Sequence, residues 1–573
     1  MGLKGSDITI AKNDGIVAWP TIISFNESAK RQGLLWAGTD DGNVQVSRDT
    51  GRSWTNVTAN ITGLPKGIWI SEVVPSRFDE GTAYVTADGH RQNDFESYIF
   101  VTHDFGQTWQ SAVANLKGES VKTLTEDQRN PDVLYIGTET GLFYSLDRAK
   151  GWQRLRANLP TVRVDEITLH PRDNAMILAT HGRDIWILDH LEPIQEYAAA
   201  QAASTDAKLF SPPPSAMYRR PVRDRNYEFW GDQTFYGENP PQQAIFSWVN
   251  KPAGGRTSMG EVKLRITDAV GKEVREISGE VLAKSNTPGI QSACWDLRVQ
   301  PAPAPPPAEG RGRGGRGRGS AGSPQAGQEG ATPAPAPEVS PWGAGCPVPA
   351  PPGGGGGGFG FGGGTAGPFV LGGTYNVSLI VDGKTVDTKP LKVTDDPEVV
   401  LTQVERKRQY DMAMEMHALQ PRANEAAAAF ANLNRQITEL GTAIGNRTDV
   451  PADVKSSFDS FKTELAALAP RLAAPQGRGG GGGGGRGNTD AIVAKIGQAK
   501  NGLMGGMAVG ENTTRAYAEA KALTPKTIAD LNALIAKAAT LSTALARVDL
   551  TLTVPQPVKM PEVAPARKTT GAK

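Results

Sequence analysis

The sequence predicts a mainly β protein with a C-terminal α region: an incomplete β-propeller, then a β-sandwich, then an antiparallel helical bundle. Three observations in the 573 residues predict this order. A strand–turn–strand pattern repeats through the first 190 residues, and apolar and polar residues alternate in segments between 244 and 386. From 398 onward the apolar period lengthens to about 3.5 residues, which is typical of helices.

Composition excludes several classes of function. Lys and Arg total 61 against 60 for Asp and Glu, so the net charge of +1 gives no general affinity for nucleic acid. Two cysteines are too few for a disulfide scaffold or a cysteine-rich metal module. No apolar run approaches the roughly 18 residues of a membrane helix, and the first residues lack the apolar core of a signal peptide. We therefore expect no nucleic-acid partner and no membrane span.

The repeat consists of four similar segments within a predicted propeller region, 1–195. Each contains an apolar strand, a turn with Gly or Asp, and a second alternating strand. The segments are LLWAGTDDGNVQVSRDTGRSW (34–54), TAYVTADGH followed by YIFVTHDFGQTW (82–109), VLYIGTETGLFYSLDRAKGW (133–152) and MILATHGRDIWILD (176–189). Their spacing of roughly 40 to 50 residues suits four-stranded propeller blades, so we expect about four blades.

Three of the segments carry the motif S-x-D-x-G-x-x-W or a variant of it. Its residues are Ser47, Asp49, Gly51 and Trp54; then Thr102, Asp104, Gly106 and Trp109; then Ser145, Asp147 and Trp152, with Ala149 where Gly is expected. The aspartates are either catalytic or part of a structural turn at the blade rim. The motif favours the turn, because Asp accepts backbone N–H groups, Gly supplies a positive φ and Trp packs under a neighbouring strand.

This motif is similar to the Asp-box of the bacterial neuraminidase repeat, which occurs in sialidases, sortilin-type receptors and many exported bacterial propellers. WAGTDDGNVQVSRD (36–49), YIGTETGLFYSLD (135–147) and ATHGRDIWILD (179–189) resemble the closing blades of large bacterial sortilin-like or glycosyl-hydrolase-like proteins. The resemblance is to the C-terminal part of such proteins. It implies a periplasmic or secreted location and no particular activity.

Relatives of this kind have more blades and an export signal before the region that resembles this chain. We therefore expect a shortened or split protein with an open propeller. An open propeller leaves an edge that invites pairing, so the expected partners include an upstream propeller polypeptide or a second copy.

A second predicted domain, formed by 205–300 and 367–396, has the alternation of a β-sandwich. The segments are AIFSWVN (244–250), EVKLRITDAVGKEVREI (261–277) and TYNVSLIVDGKTV (374–386). The string from VKLRITDAVG to WDLR resembles the Ig-like module of flagellar hook-capping proteins. Trp295 is predicted as a core anchor, and Arg298 as a surface or edge residue.

The sandwich is interrupted by a Pro/Gly/Arg-rich insertion, 301–366, which we expect to be disordered because it has too little apolar surface to bury. Its arginines resemble RNA-binding tails, although a solvated loop is favoured; they are Arg311, Arg313, Arg316 and Arg318. Cys294 lies beside the sandwich core and Cys346 in the insertion. They either pair, as in an exported chain, or remain free thiols.

The region 398–549 is predicted as a helical bundle, with a Gly-rich loop at 477–488 and a kink or break at Pro421. Its methionines are more typical of core filler than of a copper site. The segment 550–573 is predicted as a disordered tail.

Two turns of the propeller region, GHRQND (89–94) and HGRD (181–184), are the candidate ligand-binding sites. Their candidate residues are His90, Arg91, Asp94, His181, Arg183 and Asp184. They either bind a ligand in the propeller channel or form hydrogen-bonded contacts between blades, and the second interpretation is favoured. The six histidines lack metal-ligand spacing, and no phosphate-binding or nucleophile motif occurs, so no catalytic residue, metal or cofactor is predicted.

The sequence therefore predicts a non-catalytic binding or scaffold protein that presents a propeller surface to a peptide or glycan. The alternative is a shortened remnant or subunit of a glycosidase-like, sialidase-related hydrolase.

Overall fold

The computed structural model describes residues 20–218, 242–303, 340, 342–346, 365–473, 490–505 and 508–561. The predicted Gly-rich loop and most of the predicted insertion lie outside these ranges. The described residues form small, mostly antiparallel sheets followed by a C-terminal helical region, so the predicted fold class is confirmed.

The chain divides into two compact units. The first contains Met1–Pro213, Ser247–Met259 and Thr287–Gln291. The second contains Pro214–Phe246, Gly260–Asn286 and Ser292–Lys573.

The first unit contains four blades among its described residues. Blade 1 consists of β1 (Ile22–Glu27), β2 (Leu35–Thr39), β3 (Val44–Ser47) and β4 (Thr55–Asn56). Blade 2 consists of β5 (Trp69–Pro75), β6 (Ala83–Asp88), β7 (Tyr98–Thr102) and β8 (Gln110–Ser111). Blade 3 consists of β9 (Val121–Glu126), β10 (Leu134–Thr138), β11 (Leu142–Ser145) and β12 (Gln153–Leu155). Blade 4 has three described strands, β13 (Val164–His170), β14 (Ala175–Thr180) and β15 (Ile185–Leu188).

Each blade is an antiparallel sheet in chain order, and its first strand is innermost. The first strands β1, β5, β9 and β13 adjoin one another in sequence. Because the side chains of a strand alternate between its two faces, each blade has one apolar face toward the preceding blade and one toward the following blade. Separate apolar clusters fill the three interfaces between consecutive blades.

Short helices and a short strand follow the last blade: α1 (Glu192–Gln195), α2 (Tyr197–Ala202) and β16 (Ala207–Leu209). The α1 residue Gln195 is buried and donates to Asp127 of blade 3, at 2.8 Å from Oδ2. The Lys251 ammonium donates to backbone carbonyls at the end of α2, including that of Ala200 at 2.6 Å. These contacts connect the end of the blades to the segments that follow within the first unit.

The predicted sandwich region contains two further sheets. Their strands are β17 (Ser215–Met217), β18 (Ala244–Asn250), β19 (Val262–Thr267), β20 (Glu273–Ile277), β21 (Gly289–Trp295), β22 (Gly373–Val381) and β23 (Lys384–Asp395). One sheet has the order β16-β18-β21 and the other β17-β23-β22-β19-β20. Trp295 is 1% exposed and lies between Phe246 and Tyr375, with ring centroids 6.5 and 5.8 Å away. It is the core residue that the sequence predicts.

Arg298, predicted as a surface or edge residue, is half-buried. Its guanidinium stacks 3.6 Å from the Phe369 ring centroid and donates to the Gly367 carbonyl at 2.9 Å. Burial lowers its pKa, although the neighbouring Asp296 carboxylate opposes that shift. Arg298 therefore joins the two chain segments on either side of the insertion.

Cys294 and Cys346 form a disulfide, which settles the alternative that the sequence leaves open. Residues 342–346 pack beside β21, where the Cys294 N–H donates to the Ala344 carbonyl at 2.9 Å. The prediction that all of 301–366 is disordered is therefore wrong for this short segment.

The C-terminal helices are α3 (Gln403–Gly445), α4 (Ala452–Leu472), α5 (Ile492–Leu503) and α6 (Glu511–Ala546). Apolar residues spaced three and four apart share one core, as the sequence predicts. α3 continues through Pro421, so that proline does not break it. By length and composition alone α6 is a candidate membrane span, and many of its apolar residues belong to the bundle core.

The prediction of a disordered tail from residue 550 is wrong for its first part. Leu552 and Val558 are buried in the bundle core. The Asn532 amide both donates to and accepts from the backbone of Val558, at 2.9 Å in each case. Residues 562–573 of this predicted tail lie outside the described residues.

Candidate functional site

The blade topology separates the predicted structural motif from the predicted ligand-binding turns. We call the end of the propeller region at which the first strands begin the top face, and the opposite end the bottom face. The turns 89–94 and 181–184 connect second to third strands and therefore lie on the top face. The Asp-boxes connect third to fourth strands, so they lie on the bottom face near the outermost strands.

Each Asp-box is a closed set of short hydrogen bonds. In blade 1, Ser47 Oγ donates to Asp49 at 2.9 Å and accepts from the Gly51 N–H at 2.8 Å. Asp49 also accepts from the backbone and hydroxyl of Ser53, and these bonds lower its pKa to about 2. In blades 2 and 3 the same pattern joins Thr102 to Asp104 and Ser145 to Asp147, each at 2.8 Å. These hydrogen bonds join residues of one turn to each other, as expected of a structural motif.

The glycine of the motif occupies the left-handed backbone region. The φ of Gly51 is +79° and that of Gly106 is +86°. Ala149, at the equivalent position of blade 3, adopts +63°, a conformation that costs an L-residue on the order of 1 kcal/mol. The turn therefore keeps its geometry even where the sequence departs from the motif.

Two of the three motif tryptophans, Trp109 and Trp152, pack toward the preceding blade. Trp152 is 3% exposed and its indole N–H donates to the Ala112 carbonyl at 3.0 Å. Trp109 contacts Trp36 of blade 1. Trp54 of blade 1 contacts Phe25 of its own blade and is 38% exposed.

The first candidate turn is held by an ionic cluster between blades 2 and 3. His90 Nδ1 lies 2.6 Å from Asp88 Oδ2, and the buried Lys122 ammonium contacts that same oxygen at 2.7 Å. Lys122 also pairs with Glu139 at 3.0 Å, and Ser120 donates to Asp88. Burial alone would raise the pKa of Asp88, but the hydrogen bonds from Lys122 and Ser120 outweigh it and lower the pKa.

The other candidates in this turn have different surroundings. The Arg91 guanidinium lies 3.9 Å from the ring centroid of Trp69, the first residue of the innermost strand β5, and Arg91 is exposed. Asp94 accepts from the Tyr98 hydroxyl at 2.8 Å and from the Glu96 N–H at 3.0 Å. Asp94 therefore holds the turn, whereas Arg91 lies on the top face above an innermost strand.

The second candidate turn is more exposed. His181 Nδ1 lies 3.3 Å from Asp165, and its backbone N–H donates to the Arg163 carbonyl at 3.0 Å. Arg163 pairs with the same aspartate at 2.5 Å. The backbone carbonyl of Asp184 accepts from Thr180 and that of Arg183 from Trp186, while the Arg183 side chain is exposed.

The structure therefore gathers the predicted residues into two separate groups of contacts, one for each turn. It adds partners that the sequence motifs do not predict, namely Asp88, Ser120, Lys122, Glu139, Arg163 and Asp165. No local pattern marks them, because Lys122 lies in a mixed strand, VKTLTE (121–126), beside threonines and a glutamate.

A cavity of about 290 Å³ lies among the innermost strands and was not predicted. Residues of all four blades line it, including Asn26, Glu72, Glu126 and Thr168. Glu72 accepts from the Thr123 hydroxyl at 2.6 Å and the Leu124 N–H at 2.8 Å. Glu126 accepts from the Ser76 hydroxyl at 2.8 Å. Burial raises the pKa of both carboxyl groups, although these hydrogen bonds oppose the shift.

These contacts define what the site can do. Two carboxyl groups in one cavity, those of half-buried Glu72 and buried Glu126, are of the type that glycoside hydrolysis requires, but each also joins neighbouring blades. The exposed arginines of the top face suit carboxylates, since a guanidinium donates two parallel hydrogen bonds. Within the described residues, no three His, Cys, Asp or Glu side chains group as metal ligands would.

Comparison with known proteins agrees with the blade architecture. Residues 97–206 match the model of the Sortilin-Vps10 family, described as sortilin, neurotensin receptor 3. A curated relative, the oligoxyloglucan-reducing end-specific xyloglucanase of Emericella nidulans, is 34% identical over 77 residues, which are 13% of this chain and 9% of the relative. The chain therefore spans only a small part of that enzyme.

Three solved structures show low overall similarity. The match to the Niastella koreensis GH74 enzyme has 11% identity, covers 29% of this chain and 28% of that enzyme, and gives a TM-score of 0.25. The match to the Xanthomonas campestris GH74 xyloglucanase has 12% identity, covers 49% of this chain and 38% of that enzyme, and gives a TM-score of 0.25. The match to the structure of YCF48 bound to D1 peptide has 12% identity, covers 45% of this chain and 68% of YCF48, and gives a TM-score of 0.24. By its motifs, its blade topology and the family match, the chain resembles the Asp-box propeller proteins of the sortilin type.

Proposed function

We propose that this chain is a non-catalytic binding protein that presents the top face of its propeller region to a peptide or glycan carrying a carboxylate. The observation that carries the proposal is the contrast within the two top-face turns. Asp88, Lys122 and Asp165 are engaged in ion pairs, while the Arg91 and Arg183 side chains are exposed. The paired groups hold the turns, and the arginines remain available to a ligand.

The position of Arg91 supports an anionic ligand. Stacking on Trp69 holds its guanidinium above an innermost strand, and this reduces the conformational entropy that binding would cost. His181 contacts Asp165 near the start of the innermost strand β13, so the second turn also reaches toward the propeller axis. A carboxylate could then be bound by both hydrogen-bond donors of one guanidinium.

The chain is proposed to act outside the cytoplasm, in the periplasm or as a secreted protein. The Cys294–Cys346 disulfide supports this location, because disulfides persist in oxidising compartments and are rare in the cytosol. The similarity to sortilin-type propellers points the same way.

A second candidate function, glycoside hydrolysis, is favoured by one observation. Glu72 and Glu126 line one cavity and have raised pKa values, as a general acid needs. Against it, the half-buried Glu72 carboxylate is bound by the Thr123 hydroxyl and the Leu124 N–H of blade 3. This arrangement is that of a structural contact between blades.

One experiment separates the two functions. The full chain is screened on glycan and peptide arrays, and each bound glycan is then incubated with the protein and analysed by mass spectrometry. The proposal expects bound carboxylate-bearing ligands that are recovered intact. Cleavage that is lost in Glu126→Gln, with its melting temperature unchanged, would establish the hydrolase instead.

A further inference from the structure

The four blades have two apolar faces that no described residue covers, one on blade 1 and one on blade 4. On blade 1 the exposed side chains are Ile22, Ile23, Phe25 and Trp54. On blade 4 they are Ile185, at 68%, and Ile187, at 62%. We call these the blade 1 face and the blade 4 face.

The equivalent residues of the other blades are buried by a neighbouring blade, and the blade 1 face lacks that cover. Every first strand has a register shift near its start, and this irregularity aligns the four strands. Ile22 and Phe25 of β1 then correspond to Ile70 and Val73 of β5, to Val121 and Leu124 of β9, and to Val164 and Ile167 of β13. The six counterparts are between 0% and 4% exposed, whereas Ile22 is 60% and Phe25 is 54% exposed. The counterparts are buried where consecutive blades meet, so the blade 1 face has the composition of a buried interface.

The blade 4 face is the complementary surface. Gly38 of β2 and Gly137 of β10 lie against the next blade, where an added Cβ would meet Ile70 and Val164 respectively. The equivalent residue of β6 is Thr86, which is buried although it has a side chain, and that of β14 is Ala179, which is exposed. Strand register places Ala179 opposite Ile185, and Ile177 opposite Ile187, on that same face. Blade 4 therefore offers the kind of surface on which Ile22 and Phe25 would pack.

Polar contacts between blades repeat in the same way. Ser24 accepts from the Val73 N–H at 3.0 Å, and Asn26 donates to the Val73 carbonyl at 2.8 Å. Between blades 2 and 3, Glu72 accepts from Leu124, and between blades 3 and 4, Thr125 donates to Ile167 at 2.8 Å.

Blade 4 has both of these polar groups at the matching positions. Glu166 corresponds to Ser24 and Glu72, and Thr168 corresponds to Asn26 and Thr125. Both are exposed. By this pattern, Glu166 and Thr168 would bind the backbone of Phe25, which is part of the blade 1 face.

We propose that two copies of this chain associate head to tail, with the blade 4 face of each copy packed on the blade 1 face of the other. Ile22, Phe25 and Trp54 of one copy pack against Ala179, Ile185 and Ile187 of its partner. Glu166 accepts from the backbone N–H of the other copy's Phe25, and Thr168 donates to its carbonyl. Two such interfaces close a ring with twice the four described blades, which is within the four to eight blades typical of propellers.

The test uses one substitution on each face and one control. Phe25→Asp places a charge in the blade 1 face, and Ile187→Asp places one in the blade 4 face. Val270→Asp changes a still more exposed apolar residue, 88% accessible, in a hairpin turn of the other unit. Mass is measured by sedimentation velocity across the micromolar range, and circular dichroism melts establish that each variant is folded.

The wild type and Val270→Asp are expected at twice the chain mass of 60.7 kDa. Phe25→Asp and Ile187→Asp are each expected to raise the dimer dissociation constant at least tenfold. An equimolar mixture of these two variants should dimerise more tightly than either variant alone. The mixed dimer has one intact interface, between the blade 4 face of the first and the blade 1 face of the second, whereas each variant alone has none.

Three results would overturn the proposal. A wild type that stays at the single-chain mass, or a dimer unaffected by both substitutions, would rule out these faces. A mixture that dimerises no better than its components would rule out the head-to-tail arrangement.

Discussion

Trp109 of blade 2 packs edge-on against Trp36 of blade 1, with ring centroids 6.2 Å apart. Trp152 of blade 3 occupies the same position and contacts blade 2, where its indole N–H donates to Ala112. The Asp-box therefore has a role beyond its own turn. Its hydrogen bonds fix the backbone, and its tryptophan connects that blade to the preceding one.

Replacement of these tryptophans should have unequal effects. Trp152→Ala removes a side chain that is 3% exposed and should lower the free energy of unfolding by about 3–5 kcal/mol. Trp54→Ala acts on a side chain that is 38% exposed, so the loss in the monomer should be smaller. Urea denaturation of both variants measures the difference. Equal losses would contradict the assignment of Trp152 to a contact between blades.

The hydroxyl of Thr102 should contribute stability and no ligand affinity. Thr102→Val keeps the shape of a side chain that is 1% exposed but removes its bonds to Asp104 and to the Gly106 N–H. Loss of buried hydrogen bonds should cost about 1–3 kcal/mol. Thermal melts and array binding are compared with the wild type. A variant that melts normally but has lost its ligand would show a binding role for the Asp-box.

The part of the insertion before residue 340 should tolerate deletion, whereas the segment that contains Cys346 should not. Replacing 304–339 by a short Gly/Ser link should leave the sandwich intact, because closure entropy depends weakly on loop length and the Ala302 N–H already bonds to the Thr365 carbonyl. Deleting 301–366 also removes the disulfide and should cost about 2–5 kcal/mol.

Chemical denaturation of both deletions measures the two effects. A Cys294→Ala, Cys346→Ala variant is the control for loss of the disulfide alone. Equal stability of the two deletions would show that residues 342–346 and their disulfide do not stabilise the sandwich.

The second unit should lose stability in mild acid through His417. Burial and the positive charge of Lys500, whose ammonium lies 3.0 Å from His417 Nδ1, lower the pKa of this histidine. Nε2 lies 2.9 Å from the Gln300 carbonyl, so both ring nitrogens have partners. As the pH falls through about 6.5, the unfolded chain binds a proton that the folded chain resists, and the free energy of unfolding decreases.

Denaturation at several pH values between 8 and 5 measures this dependence, with His417→Gln as the comparison. Stability of the wild type should fall more steeply than that of the variant. Parallel curves would mean that His417 titrates alike in both states.

The sequence predicts the parts of this fold that depend on local pattern. Blade strands, Asp-box turns and bundle helices follow from alternation, from Asp and Gly spacing, and from apolar periodicity. The sequence also predicts Trp295 as a core residue. These features depend on residues close together in the chain.

What the sequence does not predict depends on contacts between distant residues. Lys122 meets Asp88 from a neighbouring blade, and Arg298 binds Gly367 across the insertion. Leu552 and Val558 lie in a Pro-rich segment that lacks helical periodicity, yet both reach the bundle core. No local pattern marks such residues, because their partners are brought near only by the fold.

The measurement that most directly tests the proposed function is ligand binding by an Arg91→Ala, Arg183→Ala double variant. Both side chains are exposed, so the variant should melt like the wild type. A ligand identified on the arrays is titrated calorimetrically into both proteins, and an Arg172→Ala variant is the control for loss of an exposed arginine at the opposite end of blade 4. We predict that the double variant weakens binding at least tenfold and that the control does not. Equal affinity of the wild type and the double variant would contradict a binding site on the top face.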